Sequence, residues 1–212
     1  MYFVRPSLLI RKLYNKAIWQ IPTDEKIIYL TFDDGPTPEV TSWVMDTLRK
    51  YKAKATFFCV GSNVSKYPDI FRQIVSEKHS IGNHTFNHLN GWKTKTKEYL
   101  DNVERCDSLI QQQIPGTEYQ VSKIFRPPYG RMRQSQYSGL NTKYSLIMWD
   151  VLSGDFDKKI SQEKCFHNVI TKTRKGSIVV FHDSIKAMDN LSYTLPKFLK
   201  HFNEQGFYFR SL

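Results

Sequence analysis

The sequence predicts an α/β protein of one domain, with a largely parallel sheet curled into a small barrel. Three observations predict it. Short apolar runs alternate with amphipathic stretches along the chain, which is the signature of βα units. There are seven such runs, enough for either a doubly wound sheet or a small barrel. The polar residues with chemical capacity sit at or just past the carboxyl ends of the runs, where (β/α) barrels assemble their sites, and this favours the barrel.

The elements follow in order. Leu9, Ile10, Leu13, Tyr14 and Ala17 fall on one helical face, and Arg11, Lys12 and Lys16 fall largely on another. Residues 1–24 therefore read as a basic amphipathic segment ahead of a main body at 25–212. Packing against the barrel as a plug is the favoured reading of that segment; peripheral contact of residues 1–20 with a membrane interface is the alternative. Strand-like runs lie at residues 27–32, 55–60, 80–83, 123–126, 145–151, 177–182 and 206–210. Helical periodicity fits 39–51, 64–78, 95–113, 135–142, 161–174 and 191–204. No internal repeat or linker interrupts the series.

Composition narrows the class. A chain of 212 residues with 40% hydrophobic and 24% charged residues has enough apolar matter for one core, so disorder is excluded. The net charge of +11 is spread along the chain without zinc-finger spacing, a basic zipper or an aromatic RNA-binding signature. Nucleic acid is not an expected partner, and the charge reads as attraction toward polyanionic surroundings such as a cell envelope. Three cysteines without a Cys-x-x-Cys pair argue against a disulfide framework and a Cys-rich zinc site. The apolar stretch Ser7-Leu8-Leu9-Ile10 meets Arg11-Lys12 at once, far short of a secretory signal or a spanning helix. A cytoplasmic, monomeric protein is the default expectation.

Five polar elements carry chemistry. Thr31-Phe32-Asp33-Asp34-Gly35-Pro36 ends the first run with two adjacent carboxylates and a tight turn, which can aim both acids into one cleft. His84-Thr85-Phe86-Asn87-His88 follows the third run and presents two imidazoles four residues apart. With Asp34 they supply two nitrogen donors and one oxygen donor, a set suited to an open catalytic zinc site or a related divalent ion. Thr85 stands where a zincin protease carries its glutamate base, so that chemistry is excluded. Arg126-Pro127-Pro128-Tyr129-Gly130 places a cation and irregular backbone at a strand end. Trp149 to Phe156 delivers Asp155 beside an aromatic wall at Phe156, and Ser177 to Asp183 delivers His182 at the end of a buried strand.

The ordered set resembles the polysaccharide deacetylases of carbohydrate esterase family four, over roughly residues 25–212. TFDDGP, H-T-x-x-H and R-P-P-Y-G carry the resemblance. It implies a distorted (β/α)7 barrel and a metal-dependent hydrolase that removes N-acetyl groups from a GlcNAc-type polymer or glycoconjugate, releasing acetate. By the same resemblance Asp33 would be the general base, and Asp34, His84 and His88 would hold zinc, cobalt or nickel. Arg126 would hold Asp33, Asp155 would tune His182, and His182 would be the general acid. The Tyr129 backbone N–H would help the oxyanion. Two motifs depart from the family: Leu152 and Phe156 replace the usual Asp and Trp of the fourth, and Val180 replaces Leu in the fifth, reshaping the acetyl pocket. A metal-dependent hydrolase of a non-sugar amide and a catalytically silent glycan-binding protein are the competing readings.

Overall fold

The computed structural model describes residues 3–114 and 123–212. Strands β1 (Ile27–Asp33), β2 (Thr56–Cys59), β3 (Ser80–Asn83), β4 (Ile124–Phe125), β5 (Ser145–Leu146), β6 (Val151–Leu152), β7 (Ile178–His182) and β8 (Tyr208–Arg210) form one sheet. Its order is β5-β4-β3-β2-β1-β7-β6, and every pairing between strands is parallel. β8 pairs with the first half of β1, below the part of β1 that pairs with β2. The two end strands of that order, β5 and β6, are separated in sequence by residues 147–150 alone. A sheet whose opposite edges are joined by four residues must curl until those edges meet. The result is the distorted (β/α)7 barrel, in one domain. The single strand expected at 145–151 is instead two short strands, β5 and β6, parted by residues 147–150 with a bend at Asp150; β5 lies beside β4 and β6 beside β7.

Alternation along the strands sorts the residues into two environments. On the outer face Phe32, Phe57 and Phe181 lie side by side on three neighbouring strands, with ring centroids 5.2 and 6.0 Å apart. Phe198 of helix α8 (Met188–Glu204) meets Phe181 edge-on at 5.6 Å. This outer core also takes in Val44, Met45 and Leu48 from α2 (Val40–Lys50). The inward residues Phe58, Ile124, Ile147 and Ile178 form a smaller cluster inside the barrel, closed by Ile21 and Leu212. Asp33 and His182 share this inward parity, so the strands that build the core also aim the site.

Two further expectations are corrected. The helix expected over 64–78 is two helices, α3 (Gly61–Lys66) and α4 (Pro68–Ser76). Pro68 lacks a backbone N–H and forces Tyr67 out of the helical region, to φ −128° and ψ 58°. The N-terminal helix α1 spans only Leu8–Leu13, so the single apolar face expected from Leu9 to Ala17 does not exist. Ile10, Tyr14 and Ala17 pack into a second outer cluster beside α5 (Thr96–Gln112) and α6 (Gln134–Leu140), while Leu9 and Leu13 face solvent. Beyond α1 the chain fills the barrel seam: Ile18 bridges to Ile147 and Gln20 to Ser177. The seventh outer helix, α7 (Gln162–Lys172), packs beside α8. No helix among the described residues is long and apolar enough to cross a membrane.

Candidate active site

The catalytic candidates converge because five strands end at one rim. Asp33 is the last residue of β1 and His182 the last of β7, and the two are register partners on adjacent strands. His84 follows β3 and Arg126 follows β4, while Asp155 lies in the turn after β6. The pocket they surround has a volume of about 390 Å³. Asp33, Asp34, His84, His88, Tyr129, Phe156 and His182 line it, with Gly130, Arg131, Trp149, Leu152 and Lys186 completing the wall. Arg126 and Asp155 stand behind the lining, fully buried. Val180 has the same inward parity two residues before His182 but lies outside the lining, where Leu152 forms the apolar wall.

Each charged group is fixed by partners from other strands. Arg126 donates from Nη1 to Asp33 Oδ1 and Thr31 Oγ1, both at 2.7 Å, from Nη2 to the Met148 carbonyl at 2.8 Å and from Nε to the Ile147 carbonyl at 3.2 Å. Its guanidinium carbon also lies 4.1 Å from the Phe58 ring centroid. A buried cation with this many acceptors has one orientation, and it orients the Asp33 carboxylate with it. On the other side of the pocket Asp155 accepts from the His182 ring at Nδ1 (2.7 Å) and from the His182 backbone N–H (2.8 Å). Burial alone would lower the His182 imidazole, but the Asp155 charge and hydrogen bond outweigh it and push the group up to about 9. The other ring nitrogen, Nε2, is then the one available to a ligand.

The metal candidates form a third group. His84 Nδ1 lies 2.7 Å from the Arg126 carbonyl. A carbonyl oxygen only accepts, so Nδ1 carries the proton and Nε2 holds its lone pair toward Asp34. Burial pushes the His84 imidazole down to about 4, which keeps it a neutral ligand. Asp34 Oδ1 sits 3.1 Å from His88 Nε2 and 3.8 Å from His84 Nε2, and ligand atoms of all three residues lie within 4.8 Å of one another. Burial acts to raise the Asp34 carboxyl, yet the His88 hydrogen bond and the surrounding imidazoles hold it well below the usual carboxylate range. Two imidazole nitrogens and one carboxylate oxygen converging on a partly open pocket fit a divalent ion with room for solvent.

The loops are held at some conformational cost. Asp34, Thr85, His88 and Tyr129 all adopt positive φ, between 52° and 85°, and they make up four of the seven such non-glycine residues among those described. Strain concentrated at one site needs supports. Several supports carry no signal in the sequence. Asn63 donates to the Asp34 carbonyl (2.8 Å), and Asn102 of α5 accepts from the Phe86 and Asn87 amides. Asp183 accepts from the Gly35 amide at 3.0 Å and from Thr41 Oγ1 at 2.6 Å. Burial pushes the Asp183 carboxyl up to about 8, the Thr41 hydrogen bond opposing this and the Asp34 charge adding to it. Gly35 is required here, because a Cβ at that position would lie 1.9 Å from Asp183 Oδ2. Gly130 is required in the same way by Trp149, whose ring would be 2.4 Å from an added Cβ.

Comparison with known proteins agrees with this fold. Residues 20–143 match the polysaccharide deacetylase family model, more than half of the chain. A peptidoglycan-N-acetylglucosamine deacetylase of Bacillus cereus is 34% identical over 90% of this chain and 88% of its own length. A chitooligosaccharide deacetylase of Azorhizobium caulinodans is 34% identical over 77% of each chain. The crystal structure of the Bc1960 peptidoglycan N-acetylglucosamine deacetylase superposes with a TM-score of 0.83 at 29% identity, covering 92% of this chain and 89% of that one. The chain therefore belongs to the polysaccharide deacetylase family.

Proposed function

We propose that this enzyme hydrolyses the N-acetyl group of an N-acetylated glycan of the GlcNAc type, giving acetate and a free amino sugar. The observation that carries the reading is the register pairing of Asp33 with His182 across one pocket, each backed by its own buried partner of opposite charge. Amide hydrolysis needs one group to take a proton from attacking water and another to give one to the departing nitrogen. Asp33, oriented by Arg126, takes the first role. His182, held as imidazolium by Asp155, takes the second. Asp34, His84 and His88 hold a divalent ion, zinc by preference for this donor set, with cobalt or nickel as substitutes. Bound there, the ion supplies Lewis acidity toward the amide carbonyl and water. The Tyr129 backbone N–H assists the oxyanion, and Leu152 and Phe156 shape the apolar side of the site, with Val180 behind it. The similarity to deacetylases of peptidoglycan and chitooligosaccharides supports the substrate class.

The test is acetate release across a panel of N-acetylated sugars and non-sugar amides, run with metal-stripped protein and with zinc, cobalt or nickel restored. Metal-dependent release from GlcNAc oligomers is the expected result. Release from a non-sugar amide alone would move the substrate class, and no release under any condition would overturn the catalytic reading.

A further inference from the structure

Nine large apolar side chains are exposed among the described residues, and five of them, Phe3, Leu8, Leu9, Leu13 and Ile18, fall at the start of the chain. On α1 the exposures are 76% for Leu8, 75% for Leu9 and 67% for Leu13, so these leucines are presented rather than partly covered. Leu9 and Leu13 are neighbours on one helical face, and Lys12 stands beside them one turn from Leu8 and Leu9. Residues 3–23 contain Arg5, Arg11, Lys12 and Lys16 and no acid. Arg5 and Arg11 are spent on the barrel, where both pair with buried Asp150 at 3.0 and 2.7 Å. Lys12 and Lys16 are exposed, and neither ammonium meets a carboxylate among the described residues.

The helix is not a loose end that happens to bear leucines. Ser7 caps it, the Val4 carbonyl accepts from the Leu152 amide at 2.8 Å, and the Tyr14 hydroxyl donates to the Met132 carbonyl at 2.8 Å. One side of the segment is therefore riveted to the barrel while the other side holds leucines and lysines outward in a fixed arrangement. Ordering is already complete, so an occupant gains the apolar contact without the cost of folding the helix.

We propose that the outer face of α1 docks on an anionic lipid surface. Leucines that enter the acyl boundary with lysines level with the headgroups are the chemistry of an interfacial helix, and the absence of acids in this segment matches a negative surface. The anchor also joins this face to the pocket wall. The Met132 carbonyl that holds Tyr14 also holds the Trp92 indole N–H, one residue past pocket-lining Arg131, and Trp19 packs edge-on against pocket-lining Trp149 at 6.4 Å. This proposal stands independently of the reading of the pocket.

Vesicle sedimentation with the full chain tests it, using phosphatidylcholine alone and phosphatidylcholine with phosphatidylglycerol. The wild type should pellet with the anionic vesicles at low salt and be released by high salt. Partitioning should fall about tenfold or more in the combined Leu8→Ser, Leu9→Ser, Leu13→Ser variant, with melting temperature and acetate release unchanged. Lys12→Glu with Lys16→Glu should weaken binding without touching apolar surface, which guards against a folding defect in the first variant. Failure of the wild type to bind at low salt overturns the proposal, as does binding at the wild-type level by both variants. A wild-type dimer in sedimentation velocity that the triple variant abolishes, without vesicle binding, would assign the face to a second copy of the chain instead.

Discussion

The floor and the rim of the pocket are built on opposite principles. On the floor Asp33, His84, Arg126 and Asp155 are buried, and each is hydrogen-bonded to a partner from another strand or its loop. At the rim Tyr129 and Lys186 are exposed, and ring contacts hold them: His88 against Tyr129 at 4.7 Å and Lys186 over Phe156 at 5.7 Å. A change on the floor strands a buried charge, which costs several kcal/mol and alters the chemistry. A change at the rim alters a solvated contact worth about 1 kcal/mol. On the proposed reading the floor fixes the chemistry, and the rim adjusts which glycan reaches it.

The largest effect should come from the proposed metal donors. His84→Ala or His88→Ala leaves two protein ligands, so stoichiometric metal and acetate release should both be lost. Metal content like the wild type's in both variants would refute the site. Next, Asp33→Asn keeps the shape but cannot take a proton, so turnover should fall roughly 10²–10⁴-fold while metal stays bound. The melting temperature should fall as well, because Arg126 loses its buried counter-charge; near-normal turnover would mean that the base is another group.

Asp155→Asn probes the acid. The His182 proton is held up to about 9 in the folded protein, so activity that needs the imidazolium should be present below that pH and fall as pH rises through it. The same raised value means that the stability it adds is complete below about 6.5 and is lost by the time pH passes 9. In the variant the alkaline limb of the kcat profile should move toward neutral pH, and an unmoved limb would break the Asp155–His182 pairing. Gly35→Ala should act on stability: displacing Asp183 costs about 1–3 kcal/mol, read as a melting point lower by about 2–4 °C per kcal/mol. The smallest effect belongs to the rim. Phe156→Trp or Lys186→Gln should change KM a few-fold with kcat nearly unchanged, and a large kcat loss would erase the distinction between rim and floor.

Much of the floor is legible in the sequence because its residues terminate apolar runs, and strand alternation then dictates that Asp33 and His182 face inward. The supports are not legible. Asn63, Asn102 and Asp183 act on loops that come from other parts of the chain, and no local pattern announces a hydrogen bond across the fold. The break at Tyr67 was signalled by Pro68, but the apolar periodicity on either side of it reads as one helix. The break of the expected run 145–151 into β5 and β6 escapes because a mostly apolar run has the same appearance whether one edge of the sheet or two take it up. The segment before Ala17 misleads for a related reason: helical periodicity assumes a helix that persists, and α1 stops at Leu13.

The position of β1 has a consequence for how the chain acquires its shape during synthesis. β1 is made early, yet two of its three neighbours are β7 and β8, with Leu30 opposite Val179 and Ile28 opposite Phe209. Until the ribosome has delivered those late strands, a long apolar strand waits with most of its backbone unpaired. Such distant pairing slows folding and leaves the nascent chain exposed to aggregation. Asp33 and His182, the proposed base and acid, are likewise made far apart, on β1 and β7. The enzyme cannot become active piecemeal; its pocket is completed in the same event that closes its barrel.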